Sequence, residues 1–284
     1  MNQQAEPIGQ VISADGTVIG YRQYGNGPGL ILVHGGLQTS KNFSKLAEEL
    51  ADTYTVYIPD RRGRGLSGNH GNKYCLAREC EDIQALMDKT GAYYVFGLSS
   101  GALIVLQSAL TLPAIKKVAL YEPPLWLNPS IPLKWADRYE RELKQGKLAE
   151  AMTSILKGTA DKWDFTTLPR FILLPLIKLI LLADSKKIKP DEVPIKNLIP
   201  TFHFDYQCVA EVAGKIESYK GIKADVLLLG GSRSHKFLRI ALDALSKVLP
   251  NSIRIEFPRI GHLASDNSGK PELVAVELKR FFGK

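Results

Sequence analysis

Cysteine is scarce in this 284-residue chain: Cys75, Cys80 and Cys208 are the only three. They are too few for a disulfide framework and their spacing fits no zinc pattern, so neither a metal site nor an oxidising compartment is expected. A cytoplasmic location follows as the economical expectation. Met1 to Gly9 is polar and lacks the apolar core of a signal peptide, so nothing there is expected to direct secretion. Long apolar runs are also missing. The most hydrophobic stretch, 171–183, is broken by Pro175 and Lys178 and is too short to span a bilayer, so no integral membrane segment is expected. It reads as a buried or pocket-covering helix, with contact at a membrane interface the lesser alternative. Lys and Arg number 37 against 29 Asp and Glu, for a net charge of +8. These basic residues are scattered rather than interleaved with aromatics, which argues against a nucleic-acid partner. No internal repeat or low-complexity segment appears. A hydrophobic content of 45% with 23% charged residues is that of a globular protein, not a disordered one.

What is present is an alternation of short apolar runs with helical stretches. Residues 11–24 read as an antiparallel hairpin turning at Asp15-Gly16. Leu30 to Val33 is uninterruptedly apolar, as a strand buried on both faces must be. There follow a helix over 44–51, a strand over 54–59, a helix over 76–89, a strand over 93–98, a helix over 102–112 and a strand over 117–121. Between Pro123 and about Gly221 the rhythm stops, in a helical, proline-punctuated region. It resumes with a strand over 225–229, a helix over 237–248, a strand over 253–257 and a helix over 271–282. The expected class is α/β, a mostly parallel sheet flanked by helices. Its core would comprise 1–124 and 221–284, with 125–220 a helical insertion lying over the carboxyl ends of the strands, where such sheets bind ligands.

Gly97-Leu98-Ser99-Ser100-Gly101 closes one of these strands and opens a helix, the strand-turn-helix context of a nucleophile elbow. A Gly/Ser-rich turn is also simply a good turn, so the rest of the chain must decide. A serine hydroxyl needs a general base and an acid to orient that base. Of the five histidines, His262 stands after the last strand and before the last helix and follows the serine in chain order. His34 reads as ordering its own loop, and His70, His203 and His235 have no context that singles them out. For the acid, the loop after the 225–229 strand, Gly230 to His235, holds no carboxylate. Glu122 is preferred because it ends the strand after the nucleophile strand, with Asp205 as its rival. Oxyanion donors are expected from the backbone N–H of Ser100 and from Gly36, with Leu37 second. Asp60 to Ser67 carries arginines but not the glycine spacing of a nucleotide loop, and reads as a turn tied together by its Asp and Arg side chains.

Together, His34-Gly35-Gly36, the 60–67 turn, the 97–101 elbow and Gly261-His262 resemble the α/β-hydrolase superfamily in order and spacing. The stretch from Asp60 through Tyr121-Glu122-Pro123-Pro124 is similar to small bacterial hydrolases that carry the acid after the strand following the elbow. The resemblance implies the α/β-hydrolase fold, Ser99, Glu122 and His262 as nucleophile, acid and base, an inserted cap and no cofactor. A serine rather than an aspartate at the elbow argues against alkyl-enzyme chemistry of the dehalogenase kind. The expected activity is hydrolysis of a carboxylic ester, lactone or thioester of a small to medium apolar molecule. Trp126, Trp135, Trp163, Phe165 and Phe171 are candidates to line its pocket. A C–C hydrolase or lyase using the same triad, or a non-catalytic ligand-binding protein of this fold, is the alternative. A homodimer is left open.

Overall fold

A computed structural model describes residues 8–130, 133–159, 168–186 and 192–283. Strands β1 (Ile8–Ile12) and β2 (Val18–Tyr24) form the expected hairpin. Asp15 caps its turn by accepting from the Thr17 N–H at 3.0 Å, and Gly16 takes the left-handed conformation at φ 85°. Strand β2 lies antiparallel against β4 (Thr55–Pro59), and every later junction is parallel. The eight strands run in the order β1-β2-β4-β3-β5-β6-β7-β8. Here β3 is Gly29–Val33, β5 Tyr94–Leu98, β6 Lys117–Tyr121, β7 Asp225–Gly231 and β8 Ser252–Phe257. Strand β7 runs two residues beyond expectation because Gly230 and Gly231 stay in register with Glu256 and Phe257.

Alternation along the strands sorts their side chains into two apolar layers. Ile31, Val33, Val95, Val118, Leu120, Val226 and Leu228 face one way. They pack under helices α2 (Leu76–Thr90), α3 (Ser100–Thr111) and α9 (Lys236–Val248). Leu30, Leu32, Phe96, Leu98, Ala119, Tyr121, Leu227 and Leu229 face the other way, under α1 (Ser44–Leu50) and α10 (Pro271–Phe282). At roughly 1.5–3 kcal/mol for each fully buried large side chain, these layers hold the strand ends in register.

Between β6 and β7 the chain makes α4 (Lys134–Lys144), α5 (Leu148–Thr159), α6 (Arg170–Lys186), the short α7 (Ile195–Leu198) and α8 (Phe202–Glu211). Tyr139, Ala151, Met152, Ile155, Leu173, Ile177 and Ile199 form a separate small core. Cys208 and Val212, by contrast, pack with α2 and α3, so α8 is seated on the sheet domain. The reading of 171–183 as buried is corrected. In α6 only the stripe holding Leu173 and Ile177 is covered, while Phe171 is 78% exposed and Leu179 64%. Its hydrophobicity runs around the helix, but its partners α5 and α7 leave much of its surface uncovered. Among the described residues no helix is long and apolar enough to cross a membrane. Trp135 packs against Phe202 and Tyr206, with ring centroids 6.1 and 6.2 Å apart. Trp163 and Phe165 lie outside the described residues.

Candidate active site

Strand β5 ends at Leu98 and α3 begins at Ser100, leaving Ser99 alone at the corner with φ 56° and ψ −125°. No L-residue adopts this freely, so the surroundings must impose it. The Ser99 N–H donates to the Tyr121 carbonyl at 2.8 Å, and its own carbonyl accepts from Leu103 N–H at 3.1 Å. The flanking glycines are required by space. A Cβ on Gly97 would stand 2.6 Å from the Gly101 oxygen, and one on Gly101 would run into the carbonyls of Val33 and His34.

On the neighbouring strand, Glu122 follows β6 directly, fully buried and at φ 49°. Its carboxylate lies across the end of β7. Oε1 accepts from the Gly231 N–H at 2.7 Å, and Oε2 accepts from His262 Nδ1 at 2.6 Å. This explains why the loop after β7 has no acid of its own. Gly230 leaves space beside the Glu122 side chain: a Cβ there would be 3.0 Å from Glu122 Oε1. The carboxylate accepts only, so the imidazole carries its proton on Nδ1 and presents a free lone pair on Nε2. The loop bearing His262 is pinned back over β7 and β6, in part by two bonds to its carbonyls. Arg233 N–H donates to the Ile260 carbonyl at 2.9 Å, and Tyr121 Oη donates to the Gly261 carbonyl at 2.9 Å. His262 thus reaches the end of the strand next to the one that presents Ser99. Among the described residues no hydrogen bond joins Ser99 Oγ to His262; such bonds often tighten only when substrate is bound.

On the other side of Ser99 lies the loop after β3. A Cβ on Gly35 would be 3.1 Å from Ser99 Cβ, a tighter contact than Cβ atoms ordinarily make, so glycine eases this approach. The Gly35 N–H is taken by Gln38 Oε1 at 2.8 Å, while the amides of Gly36 and Leu37 have no partner among the described residues. Leu37 stands at φ 57°. Among the described residues only four non-glycines hold positive φ, namely Leu37, Ser99, Glu122 and Arg259. All four are in loops at the carboxyl ends of strands, where strain is expected to mark function. Sequence reasoning missed Gln38 and Asp266, whose side chains meet at 2.8 Å and tie the β3 loop to the loop after His262. No local motif announces a pair so far apart in the chain.

The rival acid, Asp205, is elsewhere and occupied. Its Oδ1 accepts from Arg61 Nη1 at 2.6 Å and from Ser100 Oγ at 2.7 Å, and its Oδ2 from Arg64 Nη2 at 2.6 Å. Burial opposes its ionisation, but Arg64 and Arg61 outweigh that and hold it down to about 2. Both oxygens are thus committed to donors other than an imidazole, and it is Glu122 that His262 meets. In the 60–67 turn, Asp60 accepts from the backbone N–H groups of Ser40 and Leu66 at 2.5 and 2.8 Å. Arg61 pairs with Glu79 at 2.7 Å, and Arg62 with Asp82. His34 orders its loop: Nε2 accepts from Arg61 N–H at 3.1 Å, leaving Nδ1 to donate to the Gly35 carbonyl at 3.0 Å. Burial, reinforced by Arg64 and Arg61, keeps this imidazole neutral. Of the others, His70 stacks on Phe204, His203 pairs with Glu140, and His235 accepts from Phe237 N–H at the start of α9.

A strained serine between two strand ends, with a carboxylate-held imidazole on one side and a glycine loop on the other, can be matched against known proteins. The family described as alpha/beta hydrolase fold matches residues 28–268. A solved α/β hydrolase from Sphaerobacter thermophilus superposes with a TM-score of 0.78 at 27% identity, covering 96% of this chain and 100% of that one. An enol-lactonase from Burkholderia xenovorans superposes over 97% and 100% of the two chains with a TM-score of 0.71, but at 17% identity the likeness is one of fold. In sequence, the uncharacterized hydrolase YraK of Bacillus subtilis is 30% identical over 168 residues, 57% of this chain and 62% of that protein. A pimeloyl-[acyl-carrier protein] methyl ester esterase of Xanthomonas campestris is 29% identical over 140 residues, 49% of this chain and 53% of that protein. The chain therefore spans little more than half the length of these curated relatives. With residues 28–268, the greater part of its length, matched, the chain belongs to the α/β-hydrolase family.

Proposed function

We propose that the protein is a serine hydrolase that cleaves a carboxylic ester, lactone or thioester through an acyl-enzyme. The observation that carries this reading is the Glu122–His262 pair, delivered to the strand end adjacent to Ser99. In the proposed cycle Ser99 Oγ attacks the carbonyl carbon while His262 Nε2 takes its proton. Glu122 holds the ring and stabilises the imidazolium. The amides of Ser100 and Gly36, with Leu37 as the alternative to Gly36, bind the developing oxyanion, aided by the N-terminus of α3. His262 then protonates the leaving group, and water, activated by the same imidazole, releases the acid and restores Ser99. The 125–220 insertion is read as the cap that shapes the acyl pocket. The name of a methyl ester esterase among the relatives in sequence supports the choice of acyl substrates. A fluorophosphonate probe tests it: the wild-type protein labels and Ser99→Ala does not. A panel of p-nitrophenyl esters and small lactones, compared by kcat/KM, then identifies the acyl group. Absence of labelling in folded wild-type protein would refute the reading.

A further inference from the structure

The buried cluster around Asp205 does something the proposed chemistry does not yet use. Asp205 comes from α8, in the insertion, yet every group it holds belongs to the sheet domain. Ser100, whose amide is a proposed oxyanion donor, gives its hydroxyl to Asp205 Oδ1 at 2.7 Å and accepts from Arg61 Nη1 at 3.1 Å. Arg64, paired with Asp205 Oδ2 at 2.6 Å, donates through Nη1 to the Gly35 carbonyl at 3.0 Å. That carbonyl shares a planar trans peptide with the Gly36 N–H, so fixing the oxygen aims the N–H in the opposite direction. His34 Nδ1 holds the same oxygen, and the Arg61 backbone N–H holds His34 in turn. Asp205 therefore stands behind both halves of the proposed oxyanion hole. The insertion closes on the same loop by packing as well. A Cβ on Gly36 would be 3.1 Å from the Phe202 ring and 3.2 Å from Asp205 Oδ2, and Leu37 packs against the small core of the insertion. Asp205, Arg61, Arg64 and Ser100 are each at most 4% exposed, so water does not compete for these bonds.

We propose that Asp205 is a positioning residue of the oxyanion hole, through which the seating of α8 sets the direction of the Ser100 and Gly36 amides. This rests on the serine-hydrolase reading. Asn at 205 keeps the shape but removes the charge that gathers Arg61 and Arg64, leaving Arg64 with no carboxylate partner among the described residues. Arg61 would keep Glu79. Amides that are present but misaimed should cost less than the 10²- to 10³-fold that follows loss of an oxyanion donor.

The test compares wild type, Asp205→Asn and Ser100→Ala, the last a small change that keeps its amide should the first variant fold poorly. Exhaustive fluorophosphonate labelling counts competent Ser99, and all rates are expressed per labelled site. The expected result for Asp205→Asn is a fall in kcat of about 10- to 100-fold with KM within about threefold. The inhibition constant of a trifluoromethyl ketone, whose serine adduct places an oxyanion in the hole, should weaken in step with kcat/KM. Ser100→Ala should show the same pattern at smaller amplitude. Two outcomes overturn the proposal while leaving the hydrolase reading intact: wild-type turnover per labelled site in both variants, or a loss confined to the number of labelled sites. Failure of the wild type to label overturns both.

Discussion

Replacing Glu122 by Gln is the sharpest perturbation of the proposed site. The side chain is fully buried and holds two donors, Gly231 N–H at 2.7 Å and His262 Nδ1 at 2.6 Å. Glutamine matches the shape but has one acceptor and one donor end. If its oxygen stays on Gly231 N–H, its NH₂ faces Nδ1–H, two donors opposed in a buried site. The imidazole relieves this by moving its proton to Nε2, the atom that must be bare to accept from Ser99. The equivalent change in serine triads lowers kcat about 10⁴-fold. A loss of 10³- to 10⁴-fold is expected here, or about 4–5.5 kcal/mol of transition-state stabilisation. KM should hardly move, because Glu122 is behind the histidine rather than against substrate. The assay is p-nitrophenyl ester turnover per labelled Ser99, with Ser99→Ala as the background. Moving the acid to the end of β7 should not rescue activity. In Glu122→Gln/Gly231→Asp the new Cβ would collide with the Ile260 carbonyl, which anchors the His262 loop. A Glu122→Gln enzyme within tenfold of wild-type kcat would refute the reasoning and send the search for the acid elsewhere.

Gly101→Ala should lose about 2–4 kcal/mol of stability, read by urea unfolding, because its methyl has only the rigid carbonyls of Val33 and His34 to enter; labelling of Ser99 should fall with it. A near-neutral Gly101→Ala would show that the elbow is looser than described. Burial, with the Arg64 charge second, pushes His70 down to about 4. The unfolded chain takes up this proton near pH 6.5 and the folded chain only near 4. Its contribution to stability is therefore complete above pH 6.5 and is lost as pH falls through that interval. His70→Phe, which retains the stack on Phe204, should reduce the stability lost between pH 7 and pH 5 by about 1 kcal/mol, after discounting for the partial exposure of the ring. An identical loss in variant and wild type would contradict this.

The elbow was legible because its chemistry is local. Gly97, Ser99 and Gly101 sit on one strand-turn-helix corner, and the steric need for Gly97 follows from that corner alone, whereas Gly101 is required by the Val33 and His34 carbonyls at the end of β3. The parallel sheet was equally plain, since Leu30 to Val33 and its counterparts can only be strands covered on both faces. Helix α6 misled for a complementary reason: apolar content states that a residue favours burial, not that the fold supplies a neighbour to bury it. The choice between Glu122 and Asp205 was open on similar grounds, as both are carboxylates within reach of the strand ends.

The chain's own order of residues thus determined the sheet, the corner that strains Ser99 and the loop that carries His262, because backbone propensity and side-chain alternation act over a few residues. Only the tertiary structure decided which carboxylate meets the imidazole and what the arginines of the 60–67 turn hold. The Glu122–His262 pair spans 140 positions and the pairs of Arg61 and Arg64 with Asp205 span 144 and 141, and a contact across that separation depends on how the layers pack rather than on any local pattern.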